Sequence, residues 1–172
     1  MDLQLAGRVA LVTGASIGLG ASIAEHLAAE GCRLALLARR GDFLEAVANA
    51  IAGQGHQRPL VIVEDVTSDG MAERVRAVVE GRFGQLDILI NNAGGSRPMA
   101  NLGTEAEWEE AMALNFTAVR QLKPCLRHLD CPGAPMATGR TGEPDPPLER
   151  RGKIMVQEVQ TLSFAMATKL AF

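Results

Sequence analysis

Three closely spaced glycines could hold a phosphate group. Gly14, Gly18 and Gly20 follow the apolar run Arg8–Thr13, and a helical pattern opens at Ala21. Glycines permit a tight turn and let backbone amides approach a pyrophosphate, and the N-terminus of the next helix adds free N–H groups. The spacing G-x-x-x-G-x-G differs from the commonest dinucleotide fingerprint. Many strand-to-helix turns need glycine only for backbone geometry, so this turn alone is weak evidence.

A second polar motif ends another apolar run. Asn91-Asn92-Ala93-Gly94 closes the run that begins at Leu86. In open α/β sheets, ligands bind outside the carboxyl ends of the strands. We therefore expect this motif and the glycine turn to face one crevice.

Together the two motifs resemble those of the short-chain dehydrogenase/reductase family. Its T-G-x-x-x-G-x-G and N-N-A-G patterns occur here as Thr13–Gly20 and Asn91–Gly94, and the resemblance runs from about Leu5 to Leu126. It implies an α/β fold, a Rossmann-like doubly wound parallel sheet that is incomplete at the C-terminal side, and a nicotinamide dinucleotide as cofactor. The cofactor contacts that it implies are Thr13, Gly14, Ser16, Ile17, Gly18, Gly20, Asn92, Ala93 and Gly94, with Asp65 and Val66 at the adenine end.

Arg39 and Arg40 bear on which form of the cofactor is bound. They stand at the end of the second predicted strand, where an NAD-selective site would place an acidic residue against the ribose 2′-hydroxyl. Guanidinium groups can pair with a 2′-phosphate, and no carboxylate there repels it. The alternative is a solvated basic turn. Because the arginines follow a dinucleotide loop, we predict NADP as the cofactor, with NAD less favoured.

The same resemblance implies a catalytic tetrad of Asn, Ser, Tyr and Lys. Met112–Phe116 matches the local pattern around its asparagine, so Asn115 is the candidate. Asn115 falls where a helical stripe calls for an apolar side chain, and we expect a buried amide with hydrogen-bond partners. The alternative is an asparagine whose side chain only forms hydrogen bonds with neighbouring backbone groups.

The proton-transferring residues of the tetrad are not recognisable. The sequence contains no tyrosine. In the closest match to Y-x-x-x-K, Ala165 stands at the tyrosine position and Lys169 at the lysine position, and the strand and serines that precede the tyrosine in the family are missing. A fixed phenol is the expected general acid or base, so we expect impaired catalysis.

The pattern of apolar runs predicts the elements that position these residues. Short, continuously apolar runs alternate with longer amphipathic stretches, which is typical of βαβ units and of strands covered on both faces. Asp42 with Glu45, and Thr104 with Glu107, have the spacing of capping boxes at helix starts. The predicted strands are Arg8–Thr13, Cys32–Ala38, Leu60–Val63 and Leu86–Asn91, and the predicted helices span about 18–30, 42–53, 68–82 and 104–122. The predicted apolar stripe of the last helix is Trp108, Ala111, Met112, Val119 and Leu122.

The amino-acid composition of the chain changes after Asp130. Residues 131–151 are rich in proline and glycine and predict a loop or disordered segment, or the product of a change in reading frame. Residues 152–172 read as a short strand or helix remnant, with Ile154–Val156 open to either interpretation. The predicted domain is therefore 1–130.

Composition excludes several classes of function. The 172 residues carry a net charge of −3 and 47% hydrophobic residues, which favours one globular domain without nucleic acid as a partner. Three cysteines without C-x-x-C predict neither a zinc site nor a disulfide framework. No apolar stretch reaches the roughly 20 residues of a membrane span, and nothing resembles a secretory signal. We expect a cytoplasmic protein without a membrane partner.

Two functions remain open. The first is an oxidoreductase of the family, acting on a small carbonyl or alcohol substrate, that keeps the NADP half-site and has lost proton transfer. The second is an interaction protein whose exposed sheet edge pairs with another copy or with a full-length relative as a homo- or hetero-oligomer. A methyltransferase with a nucleoside cofactor ranks last, because it would require an acidic residue where Arg39 stands.

Overall fold

The computed structural model describes residues 4–95, 103–127 and 154–156. The predicted loop segment 131–151 and the candidate Lys169 lie outside these residues.

Five strands form one parallel sheet. They are β1 Val9–Thr13, β2 Arg33–Ala38, β3 Leu60–Val63, β4 Ile88–Ile90 and β5 Ile154–Val156. Their order is β3-β2-β1-β4-β5, and every neighbouring pair is parallel. The first four strands confirm the predicted runs to within a few residues. Segment 154–156 is a strand that pairs with β4, which decides between the two interpretations of its sequence.

The described residues form five α-helices. They are α1 Gly18–Ala29, α2 Gly41–Gly53, α3 Met71–Phe83, α4 Glu105–Met112 and α5 Ala118–Arg127. A π-helical segment, Ala113–Thr117, joins α4 to α5. The single helix predicted over 104–122 is therefore three segments, and it extends further along the chain. None of the helices within the described residues is long and apolar enough to cross a membrane.

One of the two predicted capping boxes is present. The Thr104 side chain accepts a hydrogen bond from the Glu107 backbone, and the Glu107 carboxylate accepts one in return from the Thr104 backbone. The other prediction is wrong: α2 starts at Gly41, and Arg40 occupies the N-cap position without a side-chain cap. Glu45 instead pairs with Arg58, because that guanidinium lies beside it at the start of β3.

The core lies on both faces of the sheet. Val9 and Leu11 of β1 pack in one apolar cluster with α3 and α5. Ala10 and Val12 pack in the other cluster with α1 and α2. This is the doubly wound arrangement, and it explains why every residue of β1 is buried and apolar or paired. The predicted fold class is confirmed.

The predicted stripe of the last helix is largely wrong. Leu122 is buried, but Trp108 and Met112 are 44% and 51% exposed, and α4 has no buried residue. A stripe extrapolated at 3.6 residues per turn cannot continue through a π-helical turn, because the wider turn rotates the side chains that precede it.

Candidate functional site

Thr13 ties the carboxyl end of β1 to that of β4. Its buried hydroxyl donates to the Ile90 carbonyl at 3.2 Å. The same oxygen accepts from the backbone N–H of Asn92 at 3.0 Å and of Ala93 at 2.9 Å. One hydroxyl therefore uses its donor and two acceptor positions to set where the Asn92-Ala93-Gly94 segment leaves the sheet.

The glycine turn packs directly on that segment. The Asn92 amide donates to the carbonyls of Thr13 and Gly14, each at 3.1 Å. A Cβ at Gly14, whose φ is +66°, would lie 2.8 Å from the Ala93 Cα, and a Cβ at Gly20 would lie 2.3 Å from the Gly14 carbonyl oxygen. Both positions require glycine for close backbone approach as well as for the turn.

The N-terminus of α1 is open to an anion. Ile17 is its N-cap residue and makes no side-chain capping bond, and the first turn holds no acidic residue. Gly18, with φ +60°, has no heavy atom within 4 Å of where a Cβ would be. Ser16 is buried beneath the turn and Ile17 is exposed above it. Helix amides without a side-chain cap, beside the open space at Gly18, fit the pyrophosphate of a dinucleotide.

The ends of β2 and β3 bring opposite charges together. Arg39 Nη1 lies 3.8 Å from Asp65 Oδ2. Arg40 is engaged elsewhere, because its guanidinium stacks 4.4 Å from the centroid of the Phe43 ring. Arg39 and Asp65 thus face each other where the family resemblance predicts the adenosine end of the cofactor, while the Val66 side chain belongs to the buried core.

Asp65 is held as a carboxylate by its neighbours. Burial by itself would raise the pKa of Asp65, but hydrogen bonds from the Thr67 backbone and hydroxyl and the charge of Arg39 outweigh it and lower that pKa. Both Thr67 bonds reach Oδ1, at 2.9 Å and 2.7 Å. The other oxygen, Oδ2, is the one that faces Arg39.

Glu64 anchors the turn that carries Asp65. It accepts hydrogen bonds from the Arg74 guanidinium at 2.9 Å and 3.1 Å and from the Ser68 hydroxyl at 2.8 Å. These bonds, the Arg74 bond above all, lower the pKa of Glu64 to about 2. The turn after β3 is therefore fixed to the start of α3 by charge-assisted bonds.

Asn115 links the π-helical segment to the chain that follows Gly94. Its Oδ1 accepts from the Gly95 N–H at 3.1 Å, and its Nδ2 donates to the carbonyls of Gly95 and Ala111, each at 2.9 Å. The expectation of a buried amide is wrong, since Asn115 is exposed. Its partners are nevertheless backbone groups, and the bonds to Gly95 reach the loop beside the candidate site.

Asn91, which follows β4, is a buried polar residue. Its side chain is 6% exposed, and neither amide atom has a partner among the described residues.

The comparison with protein families matches residues 8–130 to the short chain dehydrogenase family. The chain belongs to this family. A relative is the 3-oxoacyl-(acyl-carrier-protein) reductase of Escherichia coli (strain K12), which is 32% identical over 125 residues, 72% of this chain and 50% of that protein.

Solved structures of the family match the same part of the fold. L-sorbose reductase from Gluconobacter frateurii, complexed with NADPH and L-sorbose, has a TM-score of 0.72 at 32% identity and covers 75% of this chain and 49% of that one. A 7α-hydroxysteroid dehydrogenase complexed with NADH has a TM-score of 0.69 at 29% identity, over 73% and 49% of the two chains. The chain thus spans about half the length of these relatives, whose structures hold either NADPH or NADH.

Several residues around this family site escaped the sequence analysis. Thr67 has a local signal, since it stands two residues after Asp65 in the spacing of an Asx turn. The Arg40–Phe43 stack joins residues three apart at the start of α2, a spacing that the sequence contains. The Asn115–Gly95 bonds depend on where the backbone goes, and no sequence signal points to them.

Proposed function

We propose that this chain binds NADP(H) along the carboxyl edge of its sheet. The observation that carries the proposal is the uncapped N-terminus of α1, which begins at Gly18 beside the Gly14–Asn92 packing. The pyrophosphate would sit on these amides, with the nicotinamide toward Asn92-Ala93-Gly94 and the adenosine toward Asp65. Family membership and the cofactors of the relatives also support binding of a nicotinamide dinucleotide.

Arg39 is the residue that we propose binds the 2′-phosphate of NADP(H). It stands at the end of β2, and its side chain is 71% exposed, so an incoming phosphate can reach it. A charge-assisted hydrogen bond to phosphate contributes about 1.5–3 kcal/mol, or roughly ten- to a hundredfold in affinity. NADP(H) should therefore bind more tightly than NAD(H).

Calorimetry with NADPH and NADH tests this preference directly. Arg39→Ala should abolish most of the difference. Arg58→Ala is the matched control, because Arg58 pairs with Glu45 at the start of β3, at the opposite end of the sheet. Equal affinities for the two cofactors in the unaltered protein would overturn the proposal.

We propose further that these 172 residues alone do not turn over a carbonyl or alcohol substrate at rates typical of enzymes. When bound, the nicotinamide would supply hydride exchange with such a substrate. A positioned general acid or base contributes about 10²–10⁴-fold, and the sequence has no tyrosine to serve as one. Asn115 is a proposed positioning residue, since its amide holds the Gly95 backbone. Lys169 remains a proposed catalytic residue on sequence grounds.

Turnover is measured with NADPH against a panel of ketones and aldehydes, by following loss of the nicotinamide absorbance. We expect binding without appreciable consumption. Sustained turnover that is lost in Asn115→Ala, while NADPH still binds, would show that another group has replaced the tyrosine.

A second candidate function is self-association through the outer face of α4 and the π-helical segment. Trp108, Met112 and Phe116 form an exposed apolar row on this face. Glu105 precedes this row in the chain and Lys123 follows it, so an antiparallel copy would bring opposite charges together beyond the two ends of the row. This face, rather than the sheet edge expected from sequence, is the observation that favours a second copy of the chain as the partner.

Light scattering coupled to size exclusion tests the second candidate. Glu105→Lys should weaken the dimer, and adding Lys123→Glu should restore it, because the antiparallel arrangement pairs these positions across the interface. A monomer at every protein concentration would contradict self-association and leave the cofactor proposal intact.

A further inference from the structure

Arg39 and Asp65 form a loose ion pair at the adenosine end of the site. The distance from Nη1 to Oδ2 is 3.8 Å, which is longer than a hydrogen bond. Their side chains are 71% and 37% exposed, respectively. Such a pair gives the arginine a counter-charge and holds its geometry only weakly.

The carboxylate is positioned more firmly than the arginine. Thr67 donates to Asp65 Oδ1 from both its backbone N–H and its hydroxyl, at 2.9 Å and 2.7 Å. Glu64 and Arg74 fix the turn that carries Asp65. Asp65 therefore presents Oδ2 to Arg39 from a fixed position, while Arg40 is stacked on Phe43.

We propose that Asp65 is a specificity-determining residue that acts through Arg39 and lowers the preference of the site for a 2′-phosphate. A phosphate that binds Arg39 must share the guanidinium with a carboxylate already beside it. The carboxylate gives little orientation in return, because the pair is long and exposed. Asp65 therefore reduces the difference in affinity between adenine nucleotides with and without a 2′-phosphate, compared with a site that has Arg39 alone. This inference rests on the proposed function.

The size of the effect follows from the exposure of the pair. Exposed ion pairs change an equilibrium by about two- to fivefold. Asp65→Asn should therefore raise the preference for a 2′-phosphate by about two- to fivefold. The substitution keeps an oxygen that can accept from Thr67, so the turn should retain its structure.

The experiment compares two ligands that differ only in the 2′-phosphate, adenosine 2′,5′-bisphosphate and adenosine 5′-monophosphate. Their affinities are measured by calorimetry on the full chain for the unaltered protein, Asp65→Asn, Arg39→Ala and the double variant. The ratio of the two affinities removes any contribution of Asp65 to adenine binding. Asp69→Asn is the control for net charge, since Asp69 is an exposed carboxylate on the same turn. Thermal unfolding checks that each variant is folded.

We expect the ratio to rise in Asp65→Asn and to stay unchanged in Asp69→Asn. In the Arg39→Ala background, Asp65→Asn should have no further effect. An unchanged or lower ratio in Asp65→Asn overturns the inference, as does an equal rise in the Arg39→Ala background, which would mean direct repulsion of the phosphate. A ratio near unity in the unaltered protein would instead overturn the proposed NADP preference.

Discussion

The two ends of the proposed cofactor groove are built in different ways. At the glycine end, Thr13, Gly14, Gly20 and Asn92 meet through backbone contacts and partly buried hydrogen bonds. At the adenosine end, Arg39 and Asp65 meet through exposed charges separated by 3.8 Å. Both ends lie on the same edge of one sheet.

This difference separates what holds the fold from what selects the ligand. A contact between buried backbones has no room to adjust, so a change there alters folding and binding together. A contact between exposed charges is screened by water, so a change there alters affinity by a small factor and leaves the fold intact. Substitutions at the two ends should therefore separate stability from specificity.

Gly20→Ala should have the largest effect. The added methyl group would lie 2.3 Å from the Gly14 carbonyl oxygen and 2.4 Å from the Asn92 amide nitrogen. Overpacking of this kind costs about 1–3 kcal/mol or more, and here backbone must move. We expect a lower midpoint of urea unfolding and loss of cofactor binding. Gly81→Ala is the control, because nothing lies within 4 Å of a Cβ inside α3, and it should stabilise the helix. Equal stability of the two variants would contradict the close packing.

Thr13→Val should have the next largest effect on stability. The shape is kept, but the backbone N–H groups of Asn92 and Ala93 lose their buried acceptor. An unsatisfied buried group costs about 1–3 kcal/mol. Thr13→Ser keeps the hydroxyl and should recover most of the loss in urea unfolding. If the valine and serine variants are equally stable, the hydroxyl does not join the two strands.

Glu64→Gln should lower the stability of the fold by an amount that depends on pH. The folded-state pKa of Glu64 is about 2, against an ordinary value of 4.5, so its carboxylate stabilises the fold above the ordinary value. That contribution is lost as the pH falls from about 4.5 toward 2. The variant should be less stable than the unaltered protein at neutral pH, and the difference should shrink in acid.

Thermal unfolding followed by circular dichroism across this pH range measures the effect of Glu64→Gln. Glu80→Gln is its control, since the Glu80 carboxylate meets Arg76 at 3.6 Å on the exposed face of α3. A stability difference for Glu64→Gln that is independent of pH would mean that its charge is not what secures the turn.

Phe43→Leu should have the smallest effect. It removes the ring beneath Arg40, and an exposed cation–π contact contributes about 0.5–1 kcal/mol. Stability should fall by no more than this, and the ratio of NADPH to NADH affinity should hardly change, because Arg39 is the proposed reader of the phosphate. A loss of selectivity as large as that of Arg39→Ala would assign the phosphate to Arg40 instead.

Local structure followed from the sequence where residue type alone decides it. The continuous apolar runs predicted the four strands β1 to β4, because strands covered on both faces have no polar side. The Thr104–Glu107 spacing predicted the start of α4 for the same kind of reason, since both partners lie within one turn. The Asp42–Glu45 spacing failed as a capping box, because α2 begins at Gly41 and both residues lie inside the helix.

The sequence by itself determined the fold class, because repeated apolar runs predict buried strands. It also determined the place of the glycine turn and, through the motifs, the family. Tertiary structure decided which charges meet. Arg39 and Asp65 belong to different strand ends, and Asn115 bonds to Gly95, 20 residues earlier in the chain. It also decided that Trp108 and Met112 face outward, because the π-helical turn changes the helical register. Contacts between distant segments depend on the path of the backbone, which local sequence patterns do not specify.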